Sequence, residues 1–407
     1  MKIAIVSDTH FGYERFYDDS FSQAEKALTM ASGMADLILI SGDVFDKRFP
    51  KPDVLAKGMR IFKALSDRVW NARVTFYSNL LDPNEKNHTD IPVVAVSGTH
   101  ERVAEGKENA LMLLGIAGLL VDTSESVTVV EKGVEKVAVF GLGGTSEERV
   151  KPLLEKLNPK PISGAFNVFM FHQSTYELLP FSDEFIHEDD LPKGFDLYVD
   201  GHIHSRVERT VHGKPFLIPG STVLTQLKEG EQDPKGFILF DTATGKHEFV
   251  SIGSRKLYVR TVRLEDAKPK AVEEGCEREM ENALKDSPDK PIIRILLEGT
   301  MAGGFTIVDM PIRQVLQRYS SKAYVSIDAS GLKSAESEKG IADIRANRSG
   351  NQSVKELGAN MLFAKLKEQK FKGDVDASWL FNALSEEGTK DSVIKNILAE
   401  LLEGDKA

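Results

Sequence analysis

Five short apolar segments in the first half of the chain each end in residues that can bind a metal ion, and this pattern constrains the fold most. The segments cover residues 2–7, 36–41, 91–97, 167–171 and 196–200. Apolar runs of this length, separated by helix-like stretches such as 21–33 and 51–65, are typical of strands in a sheet that is covered on both faces. In sheets of this kind ligands bind at the carboxyl ends of the strands. We therefore expect a functional site where these segments end.

Two aspartates and five histidines follow the segments. They stand in the motifs Asp8-Thr9-His10, Gly42-Asp43, Gly98-Thr99-His100-Glu101, Phe171-His172 and Gly201-His202-Ile203-His204. Mixed carboxylate and imidazole ligands suit Mn²⁺, Fe²⁺ or Zn²⁺, whereas Mg²⁺ prefers oxygen ligands alone. Two such ions about 3.5–4 Å apart can bind both the attacking and the leaving oxygen of a phosphoryl displacement. The glycines at 42, 98 and 201 predict tight backbone turns beside this site.

The pattern changes twice along the rest of the chain. Residues 206–252 alternate around glycine-containing turns, which predicts antiparallel hairpins. From about residue 256, strand-like and helix-like segments predict a small α+β module, and the polar stretch 331–353 is interpreted as a linker. Apolar stripes after residue 354 predict amphipathic helices. The predicted domains are therefore 1–254, 255–330, the linker 331–353, and a helix–loop–helix region at 354–407.

Composition limits the class of protein. The length of 407 residues predicts more than one domain. The single cysteine, Cys276, excludes a disulfide framework within the chain and a zinc site built on cysteines. No apolar run approaches the ~20 residues that cross a bilayer, and the first residues are not typical of a signal peptide, so we expect a cytoplasmic protein. A net charge of −10 means that any contact with DNA must come from a local patch or a bound metal ion.

The order of these motifs resembles that of the calcineurin-like metallophosphoesterase superfamily. Within it, the segments SDTHFGYERF, LILISGDVFD, HQSTYELLP, DGHIHSRVE, IPGST and PKGFILFD are similar to the SbcD type of double-strand-break repair nuclease, called Mre-eleven in archaea and eukaryotes. The resemblance covers about residues 1–250. It implies an α/β fold with a four-layer αββα core, a small α+β capping domain and a C-terminal helical tail.

The resemblance also implies roles for eight residues and a cofactor of two Mn²⁺ ions, although other divalent ions are possible. Asp8, His10 and His204 would bind the first ion with Asp43 bridging, and His172, His202 and Thr99 would bind the second. His100 would protonate the leaving oxygen or stabilise the transition state. Since histidine ordinarily titrates near neutrality, it suits such work.

Two positions depart from the family pattern. The family usually has asparagine where Thr99 stands, and a hydroxyl is a weaker ligand than an amide oxygen, so whether Thr99 binds the second ion stays open. The family commonly has a histidine that acts on the DNA where Asp46 stands. An acidic group there could repel phosphate or hold a metal-bound water.

The function that the resemblance implies is a Mn²⁺-dependent DNA nuclease, active as a 3′→5′ exonuclease on duplex ends and as an endonuclease on single strands or hairpins. Its implied partners are DNA and an SMC-like coiled-coil ATPase of the SbcC or Rad-fifty type, bound through the helices at 354–407. A homodimer is expected, through helices near 21–34 and 52–64. Two alternatives stay open: a phosphoesterase that acts on another substrate, and a scaffold of the ATPase complex with little or no activity.

Overall fold

The computed structural model describes residues 1–65, 72–77, 83–88, 91–104, 106–180, 185–287 and 290–334. The predicted helices at 354–407 and most of the predicted linker lie outside the described residues. The chain divides into two compact units, of which the first contains Met1–Arg260, Arg278–Ile295 and Leu316–Ser326. The second contains Thr261–Glu277, Leu296–Val315 and the residues from Ile327 onward. The domain boundaries drawn from the sequence stay predictions.

The described residues form six α-helices and seventeen strands. The helices are α1 (Tyr17–Met34), α2 (Pro52–Leu65), α3 (Ala110–Ile116), α4 (Glu147–Leu157), α5 (Pro269–Lys285) and α6 (Ile312–Tyr319). The strands are β1 (Lys2–Val6), β2 (Leu37–Ser41), β3 (Ala72–Tyr77), β4 (Pro83–His88), β5 (Val93–Val96), β6 (Val121–Asp122), β7 (Val127–Lys132), β8 (Glu135–Leu142), β9 (Phe166–Phe171), β10 (Leu197–Val199), β11 (Val207–Val211), β12 (Lys214–Ile218), β13 (Gly236–Asp241), β14 (His247–Ser251), β15 (Leu257–Ala267), β16 (Ile292–Met301) and β17 (Tyr324–Ser334). Among these helices none is long and apolar enough to cross a membrane.

The strands that carry the predicted site belong to two sheets. The first sheet has the order β14-β13-β1-β2-β5-β6, with β1, β2, β5 and β6 parallel. The second has the order β11-β12-β10-β9-β8-β7-β3-β4, with β8, β9, β10 and β12 parallel. The apolar segments alone predicted one sheet. They could not separate the two, because strands in either sheet are buried on both faces.

The layers follow from the alternation of side chains along each strand. In β1, Ile3 packs in an apolar cluster with residues of the second sheet, whereas its neighbour Ala4 packs with residues of α1 and α2. On the outer face of the second sheet, Phe169 packs in a cluster with Leu154 of α4. Helices, sheet, sheet and helix therefore stack in the predicted αββα order.

The predicted hairpins form, since the pairs β11–β12 and β13–β14 are antiparallel. The strand-like and helix-like segments from about residue 256 form β15, α5, β16, α6 and β17, and the three strands pair in the order β15-β16-β17. A separate module stays a prediction, because each of these elements has residues in both compact units. Because β17 continues to Ser334, the first residues of the predicted linker lie in a strand.

One strand has no signal in the sequence. Residues 83–88 form β4, which pairs with β3 at the end of the second sheet. Its sequence PNEKNH is polar and lacks the alternation that marks a half-buried strand. An edge strand needs no such pattern, and charged residues there oppose pairing with other chains.

Candidate metal centre

Three of the predicted ligands form a first cluster, made of Asp8 after β1 and His10 and His204 close by. Their ligand atoms all lie within 4.8 Å of one another. Asp8 Oδ1 lies 3.6 Å from His204 Nε2 and 3.8 Å from His10 Nε2, and the two Nε2 atoms are 3.2 Å apart. Asp8 Oδ1 is buried and has no hydrogen-bond partner among the described residues. A buried carboxylate oxygen that faces two imidazole nitrogens fits a divalent cation, because such a group is costly to bury unpaired.

Three more predicted ligands form a second cluster, made of Asp43 after β2, His172 after β9 and His202 after β10. His172 Nε2 lies 3.2 Å from Asp43 Oδ2, and the rings of His172 and His202 are 5.3 Å apart. Thr99 Oγ1 donates to Asp43 Oδ2 at 3.3 Å, so Thr99 lies at the edge of this cluster. The donor set again fits a divalent cation. Each cluster combines an aspartate from the first sheet with at least one histidine from the second.

His100, the predicted proton donor, lies beside the clusters and is a ligand of neither. Its backbone N donates to Asp43 Oδ1 at 2.8 Å, and its side chain is exposed. The ring nitrogen Nδ1 is hydrogen-bonded to the backbone oxygen of Asp46. His100 therefore presents Nε2 as the nitrogen that a substrate could reach.

The backbone at the site is strained. Asp8, His10, Asp43 and His202 have φ values of 50°, 44°, 47° and 67°. These are four of the eight described non-glycine residues with positive φ. Such left-handed conformations are costly and concentrate at functional sites, where the surrounding structure imposes them.

Two of the predicted glycines are needed for close approach. Gly42 has φ 94°, and a Cβ atom there would lie 2.2 Å from His172 Nδ1. A Cβ atom on Gly98 would lie 2.1 Å from Asp43 Oδ1. Both distances are far below van der Waals contact, so a side chain at either position would displace a residue of the second cluster.

Burial and neighbouring charges set the protonation of the clusters. Burial raises the pKa of Asp8 to about 6 and lowers the pKa of His204 to about 2 and that of His202 to about 4. Burial also opposes a charge on His172, but Asp43 outweighs it and raises the pKa of His172 to about 10. Although burial alone would raise the pKa of Asp43, His172 holds it well below its ordinary value. In the ion-free protein, a proton on His172 thus occupies the place of a cation.

Sequence reasoning missed a buried network behind His204. Lys235 Nζ donates to Glu231 Oε2 at 2.7 Å and to the backbone oxygen of His204 at 2.9 Å. Thr225 Oγ1 lies 3.4 Å from Glu231 Oε1 and is hydrogen-bonded to His204 Nδ1. The side chains of Lys235 and Glu231 are only 5% and 1% exposed. Lys235 stands in the segment PKGFILFD, but no pattern in the sequence pairs it with His204.

Two buried acids tie the loops of the site together. Glu101 accepts hydrogen bonds from the backbone N atoms of Phe45 and Gly98, both at 2.7 Å, and so joins the loops after β2 and β5. Burial, with Asp43 nearby, raises the pKa of Glu101 to about 7. Asp200 Oδ1 accepts from the backbone N of Gln173 at 3.1 Å and so joins the ends of β9 and β10. Glu101 stood in a quoted motif, and its position directly after the strand-end histidine was the available signal.

A model of the family described as calcineurin-like phosphoesterase matches residues 1–206, which include every predicted ligand. The chain belongs to the calcineurin-like phosphoesterases. This membership confirms the predicted superfamily and, with the observed layers, the predicted fold class. It also agrees with the predicted class of enzyme, a metal-dependent phosphoester hydrolase.

The calcineurin-like chain is also similar to curated repair proteins, which confirms the resemblance to the Mre-eleven type. Double-strand break repair protein MRE11 of Encephalitozoon cuniculi is 29% identical, with 71% of this chain and 53% of that protein covered. MRE11 of Oryza sativa subsp. indica is 28% identical, with 63% and 43% covered. DNA double-strand break repair protein Mre11 of Archaeoglobus fulgidus is 27% identical, with 67% and 63% covered. The chain thus spans about half the length of the first two relatives.

Proposed function

We propose that the chain is the metal-dependent DNA nuclease subunit of a double-strand-break repair complex. The observation that carries this is the pair of largely buried carboxylate–imidazole clusters, each assembled from both sheets, in which no described group donates to Asp8 Oδ1. The repair proteins that the chain resembles supply the substrate class, DNA. Two Mn²⁺ ions are the proposed occupants, and Fe²⁺ or Zn²⁺ suit the same donors.

In this proposal the first ion is held by Asp8, His10 and His204, and Asp43 lies between the two ions. His172 and His202 hold the second ion, and Thr99 completes its shell directly or through water. Bound divalent ions supply neutralisation of the charge that develops on the phosphoryl oxygens. His172 contributes Nε2, because its Nδ1 is engaged with the backbone oxygen of Ser41 at 2.7 Å.

His100 is the proposed proton donor to the leaving oxygen of the scissile phosphodiester. Its backbone is fixed to Asp43, its ring is fixed through Nδ1, and its side chain is exposed. A proton donor must be held near the reacting group and remain reachable by substrate. His100 meets both requirements without serving as a ligand.

The test is cleavage of linear duplex and hairpin DNA with Mn²⁺ by the wild type, Asp43→Asn and His100→Gln. We expect Asp43→Asn to lose at least about 100-fold in rate, since the charge stabilisation at stake is several kcal/mol. His100→Gln should lose roughly 10²–10⁴-fold in kcat and still bind the ions. Glu248→Gln, on exposed β14, is the matched control for one lost charge and should cleave normally.

Other outcomes would redirect the proposal. Cleavage of a chromogenic phosphodiester without cleavage of any DNA, with the ATPase present as well, would indicate a phosphoesterase for another substrate. A wild type that binds no divalent ion would indicate a scaffold.

The proposed partner is an SMC-like coiled-coil ATPase, and the proposed assembly is a homodimer. The apolar stripes predicted at 354–403 support the first, because a helix that docks in a groove presents such a stripe. Replacing Ile397 and Leu401 by aspartate should release the ATPase in a pull-down with the full chain and leave Mn²⁺ binding intact. Retention of the ATPase by this variant would contradict the proposed docking.

A further inference from the structure

Asp46 lies in the loop between β2 and α2, three residues beyond Asp43, and its backbone is fixed beside the first cluster. Its backbone N donates to the oxygen of Phe11 at 3.2 Å, and its backbone oxygen is hydrogen-bonded to Nδ1 of His100. Phe11 and Phe45 form an isolated parallel bridge in the same place. The backbone N and O of Asp46 are therefore both held by hydrogen bonds to neighbouring residues.

The carboxylate of Asp46 faces the outer nitrogen of His10. Asp46 Oδ1 lies 3.6 Å from His10 Nδ1, and the two side chains are 15% and 2% exposed. His10 Nδ1 is buried and makes no hydrogen bond to any other described group. The separation is about 0.4 Å beyond the ~3.2 Å limit of an N–H···O hydrogen bond.

The opposite nitrogen of the same ring faces the first cluster, since His10 Nε2 lies 3.8 Å from Asp8 Oδ1 and 3.2 Å from His204 Nε2. An imidazole that donates Nδ1–H to a carboxylate presents the Nε2 lone pair, is held in orientation, and is a more basic ligand. The rings of His10 and His204 are nearly perpendicular, at 83°. A change in the orientation of His10 would therefore move Nε2 away from the cation position.

We propose that Asp46 is a positioning residue that selects the Nδ1–H tautomer of His10 and holds Nε2 toward the first metal ion. The inference rests on the metal centre of the proposed function and deepens it. In this role Asp46 strengthens the ligand His10, although its negative charge would repel a phosphate group bound nearby. His10, Asp46 and His100 also have ligand atoms within 4.8 Å of one another, which could hold a third ion. Such an ion would have to share the ring of His10 with the first cluster.

The test compares Asp46→Ala, which removes the acceptor and the charge, with Asp46→Asn, which removes the charge and keeps an acceptor oxygen. Mn²⁺ binding to the full chain is measured by calorimetry without DNA, with Glu248→Gln as the matched charge control. We expect Asp46→Ala to weaken binding of one ion by roughly 10–100-fold, and Asp46→Asn to stay within about threefold of the wild type. The tautomer is measured from imidazole ¹⁵N chemical shifts of the ion-free protein, and His10 is assigned as the signal that is missing in His10→Gln. We expect the Nδ1–H tautomer of His10 in the wild type and a mixture of tautomers in Asp46→Ala.

Several results would overturn the inference. One is unchanged Mn²⁺ affinity in Asp46→Ala. Another is an equal loss of Mn²⁺ affinity in both Asp46 variants, which would assign the effect to the charge of Asp46 alone. Tighter DNA binding by both variants with unaltered Mn²⁺ affinity would favour repulsion of phosphate instead. Loss of one bound ion out of three would indicate a third metal site. Since no readout requires cleavage, a chain that binds Mn²⁺ but cuts no DNA would contradict the nuclease proposal and leave this inference supported.

Discussion

The two clusters of candidate metal ligands contain similar residues but are supported by different parts of the chain. In the first, His204 is held by the side chain of Thr225, and the proposed support of His10 is the side chain of Asp46. In the second, His172 is held by the backbone oxygen of Ser41, the last residue of β2. The first cluster can therefore be adjusted by substitutions that touch no ligand. The second is fixed by the main chain of a central strand.

The two histidines that these supports hold, His204 and His172, also differ in their protonation. Burial lowers the pKa of His204 to about 2, whereas Asp43 overcomes burial and raises the pKa of His172 to about 10. An ion that enters the first cluster meets a neutral His204. An ion that enters the second must displace the proton of His172, because a metal ligand has to be deprotonated.

The largest expected effect comes from breaking the side-chain support of the first cluster with Lys235→Met. Removing one partner of a buried ion pair leaves Glu231 charged and unpaired, which costs about 3–5 kcal/mol. We expect urea unfolding of the ion-free protein to show this loss, and calorimetry to show weaker Mn²⁺ binding at one site only.

The control for this change is the double variant Lys235→Met with Glu231→Leu. Replacing both partners removes the unpaired charge, so most of the stability should return, while the weaker Mn²⁺ binding should persist because Thr225 has lost its support. If Lys235→Met is as stable as the wild type, the buried network does not support His204 in the way described.

An intermediate effect is expected from pH, and it should affect the second cluster. Mn²⁺ affinity there should rise by roughly tenfold per pH unit until the pH reaches about 10, the raised pKa of His172. Calorimetry in buffers of different ionisation enthalpy should detect one proton released per second ion, and His172→Gln should abolish that release. Binding without proton release in the wild type would contradict the difference between the clusters.

The same pKa predicts the opposite trend for the stability of the ion-free protein. Because the folded-state pKa of His172 is raised above its unfolded value, the pair with Asp43 stabilises fully below about pH 6.5 and loses this contribution as pH rises toward 10. Unfolding midpoints of the wild type should therefore approach those of His172→Gln at high pH.

The smallest expected effect is a gain at the second cluster from Thr99→Asn. An amide oxygen is a better ligand than the Thr99 hydroxyl, which donates to Asp43 at 3.3 Å. We expect binding of the second ion to tighten by about tenfold or less, the scale of changes at positions that support a metal site. Calorimetry on Thr99→Asn and Thr99→Ala checks this, and equal affinities in all three proteins would exclude Thr99 from the shell of the second ion.

The sequence predicts which residues come together in the two clusters better than it predicts which residues support them. Asp8, His10, Asp43, His172 and His202 each follow an apolar segment closely, so local pattern and spacing were enough to place them at strand ends. Two sheets instead of one could not be read from those segments, because doubly covered strands look alike in either sheet.

No sequence pattern of this kind marks the residues that support the clusters. Thr225, Glu231 and Lys235 come within reach of His204 only because the chain folds back beside it between β12 and β13. From the sequence alone, the two residues of a buried ion pair cannot be distinguished from charged residues on the surface. Strand β4 was missed for a related reason, since its polar residues match those of a loop.

The assembly of each cluster from both sheets has a mechanical consequence. The interface between the sheets is largely apolar, with residues such as Ile5, Val96, Val168 and Leu217 in one cluster. A bound ion would act as a cross-link between the sheets and would add directional bonds to this interface. At a free ion concentration of 100 times Kd, each such cross-link would add about 2.7 kcal/mol to folding stability. The free metal concentration would then affect both the melting temperature and the activity of the protein. A chelator would lower the melting temperature as it removed the ions from the site.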